Sequence, residues 1–161
     1  MQPIKTILVP TDFSAASDRA LSYARNIADA CGATLHLLHV GDDPFAAGAF
    51  MDMYTPAPPE YVARVERQAL RRLETLLTPE QKTGHAPVLA ARMGLPAQQI
   101  LQYAEEHGAI DLIVVAAGAH GRVARLILGS VADTIVRMAP CPVLTVHPHD
   151  RTEAGEAGQA A

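Results

Sequence analysis

Tryptophan is absent from this chain, aromatic residues make up 4% of it, and only two cysteines occur among its 161 residues. Cys31 and Cys141 cannot form a disulfide framework or a four-ligand zinc site, and such low cysteine usage is typical of a reducing cytosol. The scarcity of aromatic rings argues against the stacking platforms that bind single-stranded nucleic acid. The composition therefore favours a cytoplasmic protein.

The chain also lacks a surplus of basic residues and a long apolar run. Its formal net charge is -4, whereas proteins that hold nucleic acid through many phosphates usually present a basic face. No apolar run approaches the ~20 residues of a membrane-spanning helix. The first residues, MQPIKTILVPTDFS, lack the basic and then apolar build of a signal peptide. We therefore expect neither nucleic acid nor a membrane among its partners.

Apolar residues make up 49% of the chain and charged residues 19%, which suffices for a hydrophobic core. The length suits a single domain. Residues 149–161, HDRTEAGEAGQAA, show no apolar periodicity, so we expect a disordered tail there. The sequence thus predicts one domain over residues 1–148.

Short apolar runs alternate with helical patterns along this domain. The predicted strands are 4–9, 33–40, 87–92, 110–116 and 142–147, and the predicted helices are 15–31, 60–78, 96–107 and 130–138. Alternation of this kind predicts an α/β fold with one open parallel sheet and helices on both faces.

The first predicted helix carries clear signals at both ends. Ser14 is a typical N-cap, and Gly32 stands where a C-cap glycine belongs. The predicted buried face comprises Ala20, Ala24, Ile27, Ala28 and Cys31.

Ligands of such sheets bind at the carboxyl ends of the strands, where the strand order reverses. This rule points to the loops after the first and fourth strands. Pro10, Thr11 and Asp12 follow the first strand, and Ala117-Gly118-Ala119-His120-Gly121 follows the fourth. The Asp12 carboxylate could accept hydrogen bonds from adenine or ribose, or help to hold a metal. It could equally serve as a turn residue.

The second loop offers a binding site for phosphate. Gly118, Gly121 and Gly129 allow a ligand to approach the backbone, and successive amides form an anion-binding concavity. Ser130 begins a helix whose positive end favours a phosphoryl group. Alternatively, Ser130 and Asp133 form only a helix cap. The segment is neither a P-loop nor the GxGxxG of a dinucleotide fold.

Residues 41–59, GDDPFAAGAFMDMYTPAPP, predict a loop, because they contain four prolines and two glycines. This segment is unusually apolar for a loop. It packs on the body of the protein or on a second subunit, or it forms a lid over a ligand. The apolar residues concerned are Phe45, Phe50, Met51, Met53 and Tyr54.

The chain resembles the universal stress protein family. The matching stretches are ILVPTDFSAASDRAL, LHLLHV, GLPAQQILQYAEEHGAIDLIVVAAGAHG and LILGSVADTIVRMAPCPVLTV. The resemblance implies an adenine nucleotide alpha hydrolase-like fold, a five-stranded parallel sheet of order 3-2-1-4-5, and a homodimer formed through the last strand, 142–147. It also identifies 41–59 as the variable region of the family.

Members that bind ATP carry G-x2-G-x9-G-[S/T] after the fourth strand. Gly118, Gly121 and Gly129-Ser130 match this motif, but only seven residues, 122–128, separate Gly121 from Gly129. Two fewer residues shorten the loop by up to ~7 Å, which is enough to move a terminal phosphate. The resemblance implies an ATP site formed by Pro10, Thr11, Asp12, Val40, Ala117, Gly118, His120, Gly121, Arg122, Gly129, Ser130 and Val131.

Three functions are compatible with these patterns. The favoured one is a homodimeric stress protein that binds ATP, with Mg2+, as a sensor or switch. The second is a nucleotide-independent dimer that meets an unknown protein partner through the apolar 41–59 segment. The third is a slow ATPase. No catalytic triad, carboxylate pair or metal-ligand cluster stands out, so we expect no catalytic residues and no metal site formed by protein side chains alone.

Overall fold

The computed structural model describes residues 3–43, 57–83, 87–117 and 129–147. The strands are β1 Thr6–Pro10, β2 Thr34–Gly41, β3 Val88–Met93, β4 Leu112–Ala116 and β5 Val143–Val146. The helices are α1 Ala15–Cys31, α2 Pro59–Thr75, α3 Pro79–Thr83, α4 Pro96–Glu106 and α5 Ser130–Met138.

The strands form one sheet of order β3-β2-β1-β4-β5, and every pair of neighbours is parallel. The predicted architecture and strand order are therefore confirmed. The chain runs outward from β1 through β2 to β3, and then crosses back to β4. The strand order thus reverses between β1 and β4, which directs their carboxyl ends into the same crevice.

Alternation along β1 divides the core into two layers. Ile7 and Val9 pack in the layer with α1 and α2, whereas Leu8 packs in the layer with α4 and α5. All three side chains are fully buried. Burying an aliphatic side chain of this kind contributes about 1.5–3 kcal/mol, so β1 is anchored from both faces.

Helix α1 begins and ends as its sequence predicts. The Ser14 hydroxyl accepts a hydrogen bond from the Ser17 amide at 3.2 Å, and Gly32 adopts φ 67. The prediction that Cys31 is buried is wrong, because its side chain is exposed. Cys31 has the angular position of the buried face, but it lies in the last turn, beyond Ala28, the last fully buried residue of the helix.

The helix predicted over 60–78 ends earlier, at Thr75. The chain then forms the short α3, which the sequence analysis did not predict. The Thr78 hydroxyl accepts from the Gln81 amide at 3.3 Å, and the Gln81 side chain accepts from the Thr78 amide at 3.1 Å. This reciprocal pair is a capping box, and the residues TPEQ were its sequence signal.

Strand β4 begins at Leu112 rather than at the predicted residue 110. Asp111 instead connects the starts of β1 and β4. Its amide donates to the Thr6 carbonyl at 2.9 Å, and its carboxylate accepts from the amides of Lys5 and Thr6 at 2.8 and 3.0 Å. The side chain thus satisfies the Thr6 amide at the start of β1 and the Lys5 amide that precedes the strand.

A polar cluster joins β2, β3 and α4 away from the crevice. His36 Nδ1 and the Tyr103 hydroxyl share a hydrogen bond of 2.9 Å, and the His107 ring stacks on Tyr103 at 4.0 Å. The Arg92 guanidinium lies over the Tyr103 ring and pairs with Glu106. Burial, and then the charge of His107, lower the pKa of His36 below its ordinary value of 6.5.

The free energy of unfolding is expected to fall as the pH decreases from 7.5 to 5.5. Unfolded His36 takes up its proton near pH 6.5, whereas folded His36 takes it up only at lower pH, so acid favours the unfolded chain. Urea unfolding at several pH values measures this slope. His36→Asn should flatten the slope, and Asn26→Gln, at an exposed position without a titratable group, should leave it unchanged. An equal slope in His36→Asn and the wild type would contradict the prediction.

Candidate nucleotide-sized site at the strand crossover

A cavity of about 660 Å³ opens between the carboxyl ends of β1 and β4. Its size falls within the range of small-molecule sites, about 300–1,000 Å³. Its walls come from the loop after β1, from the end of β2 and from the starts of three helices. The lining residues are Pro10, Thr11, Asp12, Ser14, Ala15, Ala16, Ser17, Arg19, Leu38, Val40, Pro96, Ile100, Val115, Ala116, Gly129, Ser130, Val131 and Ala132.

The amino-terminal ends of α1, α4 and α5 meet at this cavity. Each helix end presents amides without intrahelical acceptors and carries partial positive charge. The N-cap residues of α4 and α5, Leu95 and Gly129, make no side-chain cap hydrogen bond. These ends therefore keep donors for an anion.

Ser130 is the first residue of α5 and not its N-cap, which is Gly129. The capping alternative for Ser130 and Asp133 is therefore wrong. Asp133 instead pairs with Arg137 at 2.9 Å. The exposed Ser130 hydroxyl remains at the cavity wall and is available to a ligand.

Asp12 stands at the mouth of the cavity with an exposed side chain. Its carboxylate accepts a hydrogen bond from the Ser14 amide at 3.0 Å. Burial acts to raise the pKa of Asp12, but hydrogen bonds from Ser14 and Ser17 outweigh it and lower that pKa. Asp12 is therefore ionised at neutral pH and serves as an acceptor for ligand N–H or O–H groups.

A buried hydroxyl pair holds this loop. The Thr11 and Ser17 hydroxyls lie 3.0 Å apart, and Thr11 Oγ1 also accepts from the Phe13 amide at 3.0 Å. The Thr11 amide donates to the Leu38 carbonyl at 2.9 Å. These bonds connect the loop to both α1 and β2, so the backbone around Asp12 is fixed before any ligand arrives.

Phe13 adopts φ 62, the one positive φ of a non-glycine residue in the described part of the chain. Its ring lies 4.5 Å from the His39 ring and 4.0 Å from the Arg72 guanidinium. His39 Nδ1 is in turn 2.8 Å from the Thr11 carbonyl. These contacts retain a backbone conformation that costs about 1–3 kcal/mol.

The inner wall of the cavity is apolar. Leu38 and Val40 from β2 face Ile100 from α4, with Val115 and Ala116 at the end of β4. A surface of this kind suits a flat ring, while the helix ends suit an anionic group. The sequence analysis missed Leu38, Pro96 and Ile100, because only the packing of α4 against the sheet brings them here.

Seven of the predicted site residues line the cavity: Pro10, Thr11, Asp12, Val40, Gly129, Ser130 and Val131. Ala117 is buried beside it, and its amide donates to the Val146 carbonyl at 2.8 Å. Gly118, His120, Gly121 and Arg122 lie outside the described residues. So do the apolar residues at 45–54 and the predicted tail.

The described residues contain no group of three or more histidine, cysteine or acidic side chains that could hold a metal. Burial, and then the charge of Asp111, raise the pKa of the Cys141 thiol, which therefore stays protonated at neutral pH. Among the helices that the structure describes, none is long and apolar enough to cross a membrane.

Comparisons with known proteins agree with the fold and with the sequence resemblance. The model of the universal stress protein family matches residues 3–147. A universal stress protein of Methanocaldococcus jannaschii is 31% identical over 142 residues, which cover 88% of this chain and 81% of that protein.

Two solved structures are similar along nearly the whole chain. The universal stress protein UspA of Lactobacillus plantarum is 30% identical, with a TM-score of 0.61 over 91% of this chain and 99% of that one. A universal stress protein in complex with cAMP is 28% identical, with a TM-score of 0.56 over 91% of this chain and 98% of that one.

Phe13→Gly is expected to be more stable than Phe13→Ala by about 1 kcal/mol. Both variants lose the ring contacts, but only glycine adopts the positive φ without a clash of its Cβ atom. Urea unfolding of the two variants measures the difference directly, and each serves as the control for the other. An alanine variant as stable as the glycine variant would show that the backbone at Phe13 carries no strain.

Proposed function

This chain belongs to the universal stress protein family, and we propose that it binds ATP, with Mg2+, in the cavity between β1 and β4. The nucleotide serves as the signal of a cytoplasmic switch in the stress response. One observation carries this proposal: an apolar pocket and three positive helix ends share a single cavity of about 660 Å³. A flat base and a polyphosphate need these two environments side by side.

The base is proposed to lie against Leu38 and Val40, where Asp12 accepts a hydrogen bond from the adenine or the ribose. The phosphates are proposed to lie at the start of α5, over the amides that follow Gly129 and beside the Ser130 hydroxyl. The similar stress protein in complex with cAMP supports an adenine nucleotide as the ligand class.

Mg2+ is proposed to bind through phosphate oxygens and water. This ion keeps several waters and needs only one or two protein carboxylates. Asp12, the one carboxylate among the described lining residues, is proposed to recognise the adenine or the ribose, so the ion is held by the phosphates and water. The proposed site therefore needs no acidic cluster.

The residues that line the cavity favour nucleotide binding over rapid nucleotide hydrolysis. Efficient phosphoryl transfer requires a positioned water and a charge stabiliser around the terminal phosphate. No histidine lies among the described lining residues, and Asp12, the one carboxylate there, is assigned to the base or ribose rather than to an attacking water. We propose that the nucleotide acts by its presence, through the loops around it, and that a protein partner detects the change.

We also propose a homodimer formed through residues 142–147. β5 is an edge strand, paired with β4 alone among the described strands. The carbonyls of Pro142 and Val146 accept hydrogen bonds from the β4 side at 3.0 and 2.8 Å. Successive residues of a parallel strand direct their backbone amide and carbonyl groups to opposite sides. Val143 and Thr145 therefore direct these groups away from β4, where a second β5 can pair with them.

Purified protein is expected to bind ATP, and Ser130→Ala to weaken that binding about ten- to hundredfold. A hydrogen bond to a charged phosphate contributes about 1.5–3 kcal/mol, and alanine preserves the helix start. Titration calorimetry with ATP, ADP and AMP, with and without Mg2+, measures the affinities. Ser22→Ala, on the exposed face of α1 and outside the cavity, is the matched control and should bind like the wild type.

Absence of nucleotide binding in the wild type would contradict the proposal and favour the nucleotide-independent interaction protein. Unchanged affinity in Ser130→Ala would show that the phosphates lie elsewhere. Steady phosphate release that Asp12→Ala abolishes would instead identify a slow ATPase.

Thr145→Pro is expected to shift the protein from dimer to monomer. Proline removes an amide that points away from β4, so it interrupts the edge while leaving the β4 ladder in place. Sedimentation velocity measures the assembly state, and Thr145→Ala, which keeps the amide, should remain dimeric. A dimeric proline variant with intact circular dichroism would place the interface elsewhere on the surface.

A further inference from the structure

Arg19 is the one cationic side chain among the described residues that line the cavity, and Asp12 is the one anionic side chain. Arg19 lies on α1, one turn beyond Ala15 and Ala16, which line the cavity as well. Its side chain is exposed, so it stands at the mouth of the cavity rather than in its apolar floor.

This guanidinium has no competing partner in the described part of the chain. The ion pairs found there join Arg92 to Glu106 and Arg137 to Asp133. The nearby carboxylate of Asp18 acts on Arg25, whose pKa is lowered first by burial and raised in part by Asp18 and Asp29. None of the described residues therefore occupies the five N–H donors of Arg19.

The position of Arg19 complements that of the α5 start. α1 packs in the layer with α2, and α5 packs in the opposite layer with α4. The cavity extends from one layer to the other. Arg19 and Ser130 therefore belong to helices in opposite layers, and both line the same cavity.

We propose that Arg19 binds the outer phosphates of the nucleotide and sets a preference for triphosphate over monophosphate, an inference that rests on the proposed function. Helix ends carry only fractional charge, whereas a guanidinium carries a full charge in a planar fork that fits two phosphate oxygens. Its effect on affinity therefore grows with the number of phosphates. Asp12, which carries the opposite charge, recognises the base or ribose end.

The test uses the full chain and compares cAMP, AMP, ADP and ATP, each with and without Mg2+, by titration calorimetry at low salt. Arg19→Gln should weaken ATP binding about tenfold, ADP binding less, and cAMP or AMP binding less than twofold. Arg19→Lys should retain part of the preference, because it keeps the charge but loses the fork.

Arg67→Gln is the matched control, since it removes the same charge from an exposed position on α2 that is outside the cavity. It should bind all four nucleotides like the wild type. Thermal unfolding of every variant should match the wild type, because glutamine is a good helix former.

An equal loss for all four nucleotides in Arg19→Gln, or no loss for any, would overturn the role of Arg19 while leaving the proposed function standing. A wild type that binds none of the four would overturn the proposed function and this inference together. If Arg19→Gln fails to fold, Arg19→Met decides the question, because methionine keeps an unbranched side chain and favours a helix but carries no charge. An ATP preference in Arg19→Met equal to that of the wild type would overturn the role of Arg19.

Discussion

Parallel pairing of β1 with both β2 and β4 is the constraint on which the rest of the molecule depends. Because β1 is buried on both faces and lies at the centre of the sheet, its neighbours are reached by crossovers that place helices on opposite faces. The crevice at its carboxyl end follows directly from this arrangement. The charged and hydrogen-bonding groups of the cavity come from the few residues after Pro10 and from the helices that begin beside them.

The loop after β1 shows how a small polar network fixes the Asp12 carboxylate at the cavity. Thr11 and Ser17 are the buried polar residues of the described chain, and they hydrogen bond to each other. Their bonds fix the backbone on either side of Asp12, and Phe13 retains an unfavourable φ because His39 and Arg72 pack on its ring. A fixed acceptor loses little entropy when a ligand binds, which favours the role proposed for Asp12.

The cavity combines groups of both charges with an apolar wall. Asp12 places full negative charge at one part of the mouth, while the starts of α1, α4 and α5 and the side chain of Arg19 supply positive charge. The apolar wall formed by β2 and α4 belongs to the same cavity. A ligand that is flat and hydrogen bonding at one end and polyanionic at the other matches this combination of environments, which is the basis for the proposed nucleotide.

Much of the fold could be predicted from the sequence, because each element carries its signal locally. Apolar runs predicted β1 and β2 with small errors at their ends. The cap residues Ser14 and Gly32 predicted where α1 begins and ends. The prediction failed for residues at the ends of two helices, α1 and α2. Cys31 has helical spacing but lies past the core, and α2 ends at Thr75 because Thr78 and Gln81 start a new turn of helix.

The sequence by itself determined the alternation of strands and helices, the family, and those cavity-lining residues that directly follow a strand or begin a helix, such as Asp12 and Ser130. Only the tertiary structure decided that Leu38, Pro96 and Ile100 share a wall with them, that Phe13 is held at positive φ, and that Arg19 faces the cavity. The physical reason is the separation in sequence between the residues that interact. Periodicity and capping depend on neighbours within one turn of chain, whereas a cavity wall depends on how elements far apart in sequence pack across the sheet.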